Sequence, residues 1–163
     1  MPVETFPVLY ILMRNDMASM NAGKAMAQAS HASNAFWKAA NEGFLDKSHS
    51  AFQEQLLNEW QLSTSQGFGT VLVLAVNGAQ MNTAVDVATA LGFMASVIHD
   101  PTYPILVPTE LGSALAEMDN HNVFSVGEKN NYVTIPLDTC AYIFGDKNDP
   151  MLSAVVGRFP LHP

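Results

Sequence analysis

Positive charge is scarce in this chain. Seven Lys and Arg stand against fifteen Asp and Glu, giving a formal charge of −8. No Lys or Arg occurs between Lys47 and Lys129. Phosphate contacts come chiefly from those two residue types, so the balance argues against broad, nonspecific nucleic-acid binding. Any nucleic-acid footprint must use the two ends of the chain or a partner subunit. Cysteine is nearly absent as well. Cys140 is the only one, which excludes an intrachain disulfide and a Cys-rich metal site. No apolar run approaches the roughly 20 residues of a membrane span. The start, Met1-Pro2-Val3-Glu4, lacks the basic region and apolar core of a secretory signal. The expectation is a soluble, cytoplasmic protein that does not engage a membrane.

What is present is a globular composition: 48% hydrophobic and only 13% charged residues, over a length of 163 that suits a single domain. Val8-Leu9-Tyr10-Ile11-Leu12-Met13 reads as a buried first strand ended by Arg14-Asn15-Asp16. An Ala-, Met- and Gln-rich stretch predicts a helix from Asn21 to about Ala40, with Gly43 as its stop. Phe52, Leu56, Leu57 and Trp60 recur at helical spacing within a second helix, Ser48 to Leu62. Thr70 to Val76 reads as a second strand, Gln80 to Leu91 as a third helix and Phe93 to Ile98 as a third strand. Residues Pro101 to Pro108, with three prolines, are expected to form a loop. A short helix follows at Thr109 to Met118. Val123 to Val126 and Tyr132 to Ile135 flank a turn, which predicts a hairpin. Thr139 to Phe144 is a further strand, and Asp149-Pro150 suits the cap and first position of a last helix. This alternation predicts an α/β domain. We expect a small mixed sheet of about four strands, flanked by helices on both faces.

One segment carries candidate chemistry. In Gly23-Lys24-Ala25-Met26-Ala27-Gln28-Ala29-Ser30-His31-Ala32, the residues Lys24, Gln28 and His31 are spaced i, i+4, i+7. Three polar side chains therefore share one face of an Ala-rich helix. With Asn21 as cap, Lys24 falls in the first turn, where a cation opposes the helix dipole. Such local conflicts concentrate at functional sites. A solvated lysine and a hydrogen-bonded structural histidine are the alternatives.

The segment resembles the signature helix of the archaeal/eukaryotic-type (class II) peptidyl-tRNA hydrolases, commonly written M-G-K-G-K-I-A-A-Q-C-S-H-A. Met20, Gly23, Lys24, Ala27, Gln28, Ser30, His31 and Ala32 fall in register with it, and Ala22 stands at the first lysine. Arg14-Asn15-Asp16 resembles the family's R-T-D or R-N-D at the end of its first strand, followed by one extra residue before Lys24. Glu59-Trp60, Ala90-Leu91-Gly92 and the run Val155 to Leu161 are similar to family segments too. Asp100 stands where the family has R-D-A-G-R-T. Residues Thr109 to Pro136 look like an insertion, so the resemblance implies a divergent member.

The resemblance implies a metal-free esterase without a cofactor. Its substrate would be peptidyl-tRNA and its state a possible homodimer. Lys24 matches the family's essential lysine, Asp100 its aspartate and Thr139 the second of its two essential threonines. At the first threonine stands Pro104, which offers neither hydroxyl nor N–H. Thr102 and Tyr103 replace the following Gly and Arg, and losing the Arg removes a phosphate contact. Asp100 is expected to orient or deprotonate water, Lys24 to stabilise negative charge, and Thr139 to position water or a carbonyl. Gln28, His31, Thr102 and Arg14 are the expected substrate-binding residues. All of this presumes that the ammonium of Lys24 and the carboxylate of Asp100 meet in one pocket.

By itself Asp100 before a proline is an ordinary loop cap. Other chemistry has less behind it. His99-Asp100 with His121 matches no metal-ligand spacing. No G-x-S-x-G elbow accompanies a serine, and Gly67-Phe68-Gly69 precedes a strand rather than a helix. The alternatives to the esterase are a catalytically silent binding module of the same fold and a hydrolase of a small ester or amide.

Overall fold

The structure is a computed structural model, and it describes residues 4–117, 123–126 and 128–163. Among the described residues, five strands and five helices follow in chain order. They are β1 (Pro7–Arg14), α1 (Ala22–Asp46), α2 (Ala51–Leu62), β2 (Thr70–Val76), α3 (Gly78–Ala90), β3 (Met94–Pro108), α4 (Thr109–Ala116), β4 (Val123–Val126), β5 (Asn130–Asp146) and α5 (Pro150–Val156). The strand order is β2-β1-β5-β3, with β4 paired to β5. β1 runs parallel to β2 and antiparallel to β5. The fold is the expected mixed α/β sheet. The chain divides into two compact units, Met1–Ile98 with Thr139–Pro163, and His99–Asp138.

In the larger unit, β1 explains the layering. Its side chains alternate between the two faces of the sheet. Val8, Tyr10 and Leu12 join a core with Met81, Ala84, Val85 and Ala88 of α3 and Leu152, Val155 and Val156 of α5. Leu9, Ile11 and Met13 join the opposite core with Ala25, Ala32, Phe36 and Ala40 of α1 and Leu56, Leu57 and Trp60 of α2. Alanines on α1 let that long helix lie close to the sheet. Among the described residues no helix is long and apolar enough to cross a membrane.

Three local expectations are corrected. Gly43 does not stop α1, which continues to Asp46 and closes on Lys47 in the left-handed conformation, φ 59°. Gly43 instead gives room: a Cβ there would overlap the His49 ring, whose Nε2 lies 2.9 Å from Ala40 O. Gly43→Ala is therefore expected to lower stability by about 1–3 kcal/mol through overpacking, read as a lower urea midpoint.

The stretch Pro101 to Pro108 is strand, not loop. Each proline pushes the residue before it, Asp100, Tyr103 and Val107, toward extended backbone. At the end of the strand order, a missing N–H can face away from the ladder. Tyr132 to Ile135 and Thr139 to Phe144 are likewise one continuous strand through Pro136.

The smaller unit holds the expected hairpin. Val123 pairs with Val133 and Val126 with Asn130. Met1, Pro2, Val3, Met118, His121 and, in the expected turn, Gly127 lie outside the described residues.

Candidate active site

α1 begins behind Asn21, whose side-chain Oδ1 accepts a hydrogen bond from Lys24 N–H at 2.9 Å. Asparagine caps well because its oxygen satisfies one of the helix's unpaired donors. The cap fixes Lys24 in the first turn, where its charge opposes the dipole at a cost of about 0.3–1 kcal/mol. No acidic residue in that turn offsets it. Lys24 is also half-buried, and this desolvation holds its ammonium pKa below the usual lysine range. Its place in the structure thus carries two penalties at once.

One turn along, Gln28 is 3% exposed. Thr139, on β5, is fully enclosed, and its hydroxyl donates to Gln28 Oε1 at 2.6 Å. The Cys140 thiol donates to the backbone oxygen of Gln28 at 3.3 Å. Filling Oε1 orients the amide and thereby sets where its NH2 group points. Thr139→Val strips a buried acceptor of its donor and is expected to cost about 1–3 kcal/mol. A urea titration with an unchanged slope would read that loss. His31 lies exposed on the same helix.

At the end of β1, Arg14 meets Asp16 in two bonds, Nε to Oδ1 at 2.9 Å and Nη2 to Oδ2 at 3.0 Å. Asp16 Oδ2 also accepts from Gly78 N–H at 3.2 Å. Hydrogen bonding from Arg14, with a lesser contribution from Gly78, holds the Asp16 carboxyl below the usual carboxylate range. Nothing in the residue order signals the tie to Gly78, which is made 62 residues away.

The smaller unit carries the second group of residues. Asp100 is 9% exposed. Its Oδ1 accepts from Thr102 N–H at 2.8 Å and from the Thr102 hydroxyl at 3.3 Å. Two donors on one oxygen fix the orientation of the carboxylate. Thr102 therefore turns toward Asp100. Pro104 is part of β3, and Tyr103 beside it is fully buried. His99 Nδ1 lies 2.9 Å from Asp138 Oδ1, both side chains being largely exposed. Among the described residues no three His, Cys, Asp or Glu gather as metal ligands do.

Two cavities of the larger unit lie elsewhere. A groove of about 480 Å³ runs between α3 and α5 and includes none of the expected site residues. Another, of about 250 Å³, is lined by Ala22, Ala25, Met26 and Ala29. At 100° per residue these fall on the flank of α1 turned away from Lys24 and Gln28.

No curated protein matches the chain. The family model described as Peptidyl-tRNA hydrolase PTH2 matches residues 7–112. That range takes in Arg14, Lys24, Gln28, His31, Asp100, Thr102 and Pro104, while Thr139 and residues 155–161 follow it. Since it runs from β1 into α4 and covers well over half of the chain, the protein belongs to the class II peptidyl-tRNA hydrolase family.

Proposed function

We propose that the protein hydrolyses the ester joining an N-acylated aminoacyl group to the terminal ribose of tRNA, with an activated water as nucleophile. The observation that carries this reading is Lys24: half-buried, its pKa depressed, set against a helix dipole, and inside the matched family range. A protein keeps so unfavourable a cation where negative charge arrives.

Asp100 takes a proton from water as its oxygen attacks the ester carbonyl, and the Lys24 ammonium stabilises the oxyanion that forms. Collapse of the tetrahedral intermediate breaks the bond to the ribose oxygen, which leaves with the proton held by Asp100. Thr102 orients the Asp100 carboxylate. Thr139 acts through Gln28, whose oriented amide offers a donor to the acyl group. His31 is exposed on the same helix, and in this reading it meets the nucleotide end of the substrate. A cytoplasmic location and a homodimer belong to the same reading.

Pro104 favours a second reading, a silent binding module of the same fold, because it removes a hydroxyl where the family's active members carry a threonine. Incubation with N-acetyl-aminoacyl-tRNA decides between the two. Release of free N-acetyl-amino acid supports the enzyme. Folded protein that shifts tRNA in a low-salt gel but releases nothing would overturn it in favour of the module.

A further inference from the structure

The chemistry above makes no use of the Arg14-Asn15-Asp16 turn. The Arg14–Asp16 pair has the parallel, two-bond form that adds geometric specificity to charge. Two further bonds fasten this turn to the other half of the βα unit. Asn15 N–H donates to Val76 O at 2.9 Å, at the end of β2, and Gly78 N–H, in the first turn of α3, donates to Asp16. Gly78 fits closely beneath the pair, since a Cβ there would stand 3.2 Å from Arg14 Cζ. Beyond Asp16 the path to the catalytic helix is short and internally bonded. Met20 N–H donates to Met17 O at 3.0 Å, and the next residue, Asn21, caps α1 through Lys24 N–H.

We propose that Asp16 is a positioning residue. Its carboxylate, held by Arg14 and Gly78, pins the connection between β1 and α1, so that the first turn of α1 presents Lys24 for catalysis. Arg14 then serves the protein's own geometry rather than a tRNA phosphate. The inference rests on the functional reading above for its kinetic consequence, and on the bonding path alone for its structural one.

The test compares Asp16→Asn, Gly78→Ala and a control, Leu152→Ala, in the full chain. Leu152 is fully buried in the core on the opposite face of the sheet from α1 and makes none of the hydrogen bonds of this path, so its truncation destabilises without removing one of them. The measurements are kcat and KM for N-acetyl-aminoacyl-tRNA, the melting temperature, and the side-chain NMR resonance of the Lys24 ε-carbon. Asp16→Asn is expected to lower kcat by about tenfold or more, as small misplacements of a catalytic group do. KM should stay within about twofold, since no substrate contact is lost.

Gly78→Ala, on a different helix, should reproduce that loss by displacing the guanidinium, and both variants should shift the Lys24 resonance. The control should lower the melting temperature while leaving the resonance in place. A raised KM with unchanged kcat would overturn the proposal and return Arg14 and Asp16 to substrate binding. A control that shifts Lys24 equally would also overturn it, as would a resonance unmoved by both test variants. If the unaltered protein hydrolyses nothing, only the functional reading fails, and the Lys24 resonance still decides whether Asp16 positions it.

Discussion

Lys24→Ala is expected to reduce the rate of N-acetyl-aminoacyl-tRNA hydrolysis by about 100- to 1000-fold, the usual loss when one oxyanion-stabilising group is removed. Asp100→Asn should cost about as much, within the range of 100- to 10,000-fold for a lost general base. If the two serve one chemical step, the double variant loses much less than the product of the single losses. Single-turnover kinetics on folded protein provides the measurement, and an unimpaired Lys24→Ala would remove the basis of the functional reading.

Lys24 also fixes a sign in pH. Its proposed role requires the ammonium, so activity should fall as pH rises through its depressed folded pKa, below the ordinary lysine value of 10.5. The stability linkage runs the other way. Below the folded pKa the penalty for burying a charge is fully present. Between that value and 10.5 the unfolded chain retains a proton that the folded chain has released, so stability rises with pH across the window. Lys24→Met should abolish that rise, which denaturant titrations at several alkaline pH values would detect.

The largest expected effect on stability is at Phe36. It is fully buried in the core beneath α1. Its ring centroid lies 4.9 Å from that of Phe144, and it meets Trp60 and Tyr142 edge-on at 5.4 and 5.7 Å. Edge-to-face and tilted pairs of this kind add about 0.5–1.5 kcal/mol each to the burial they share. Trp60 cannot readily collapse into the space Phe36 would leave, because its indole N–H is held by Thr70 O at 2.9 Å. Phe36→Ala is therefore expected to cost about 3–5 kcal/mol. For a chain of this size that lowers the melting temperature by about 10 °C or more. Circular dichroism melts would show it, and a shift of only a degree or two would mean that the cluster repacks. Phe36→Leu, which keeps most of the volume, should lose markedly less.

The apolar runs and caps made most of the fold legible. Six consecutive apolar residues marked β1 as buried on both faces, and all of Val8 to Met13 are. Asp149-Pro150 announced α5, whose cap is Asp149. The i, i+4, i+7 spacing of Lys24, Gln28 and His31 picked out the helix that the family match also covers. What misled was punctuation. Proline and glycine read as breaks because they break isolated elements. An edge strand tolerates prolines, and Gly43 answers to a ring packed over it rather than to the end of its helix.

The sequence by itself determined the layered α/β pattern and the family, because these depend on local periodicity and on residues in order along the chain. Only the tertiary structure decided that Thr139 is spent on Gln28, 111 residues away, and that Asp16 reaches the start of α3. The physical reason is that partners are set by how strands and helices pack, not by spacing along the chain. The buried Thr139 must find a partner inside the core, and the exposed Asp16 meets the backbone N–H that the pairing of β1 with β2 brings beside it.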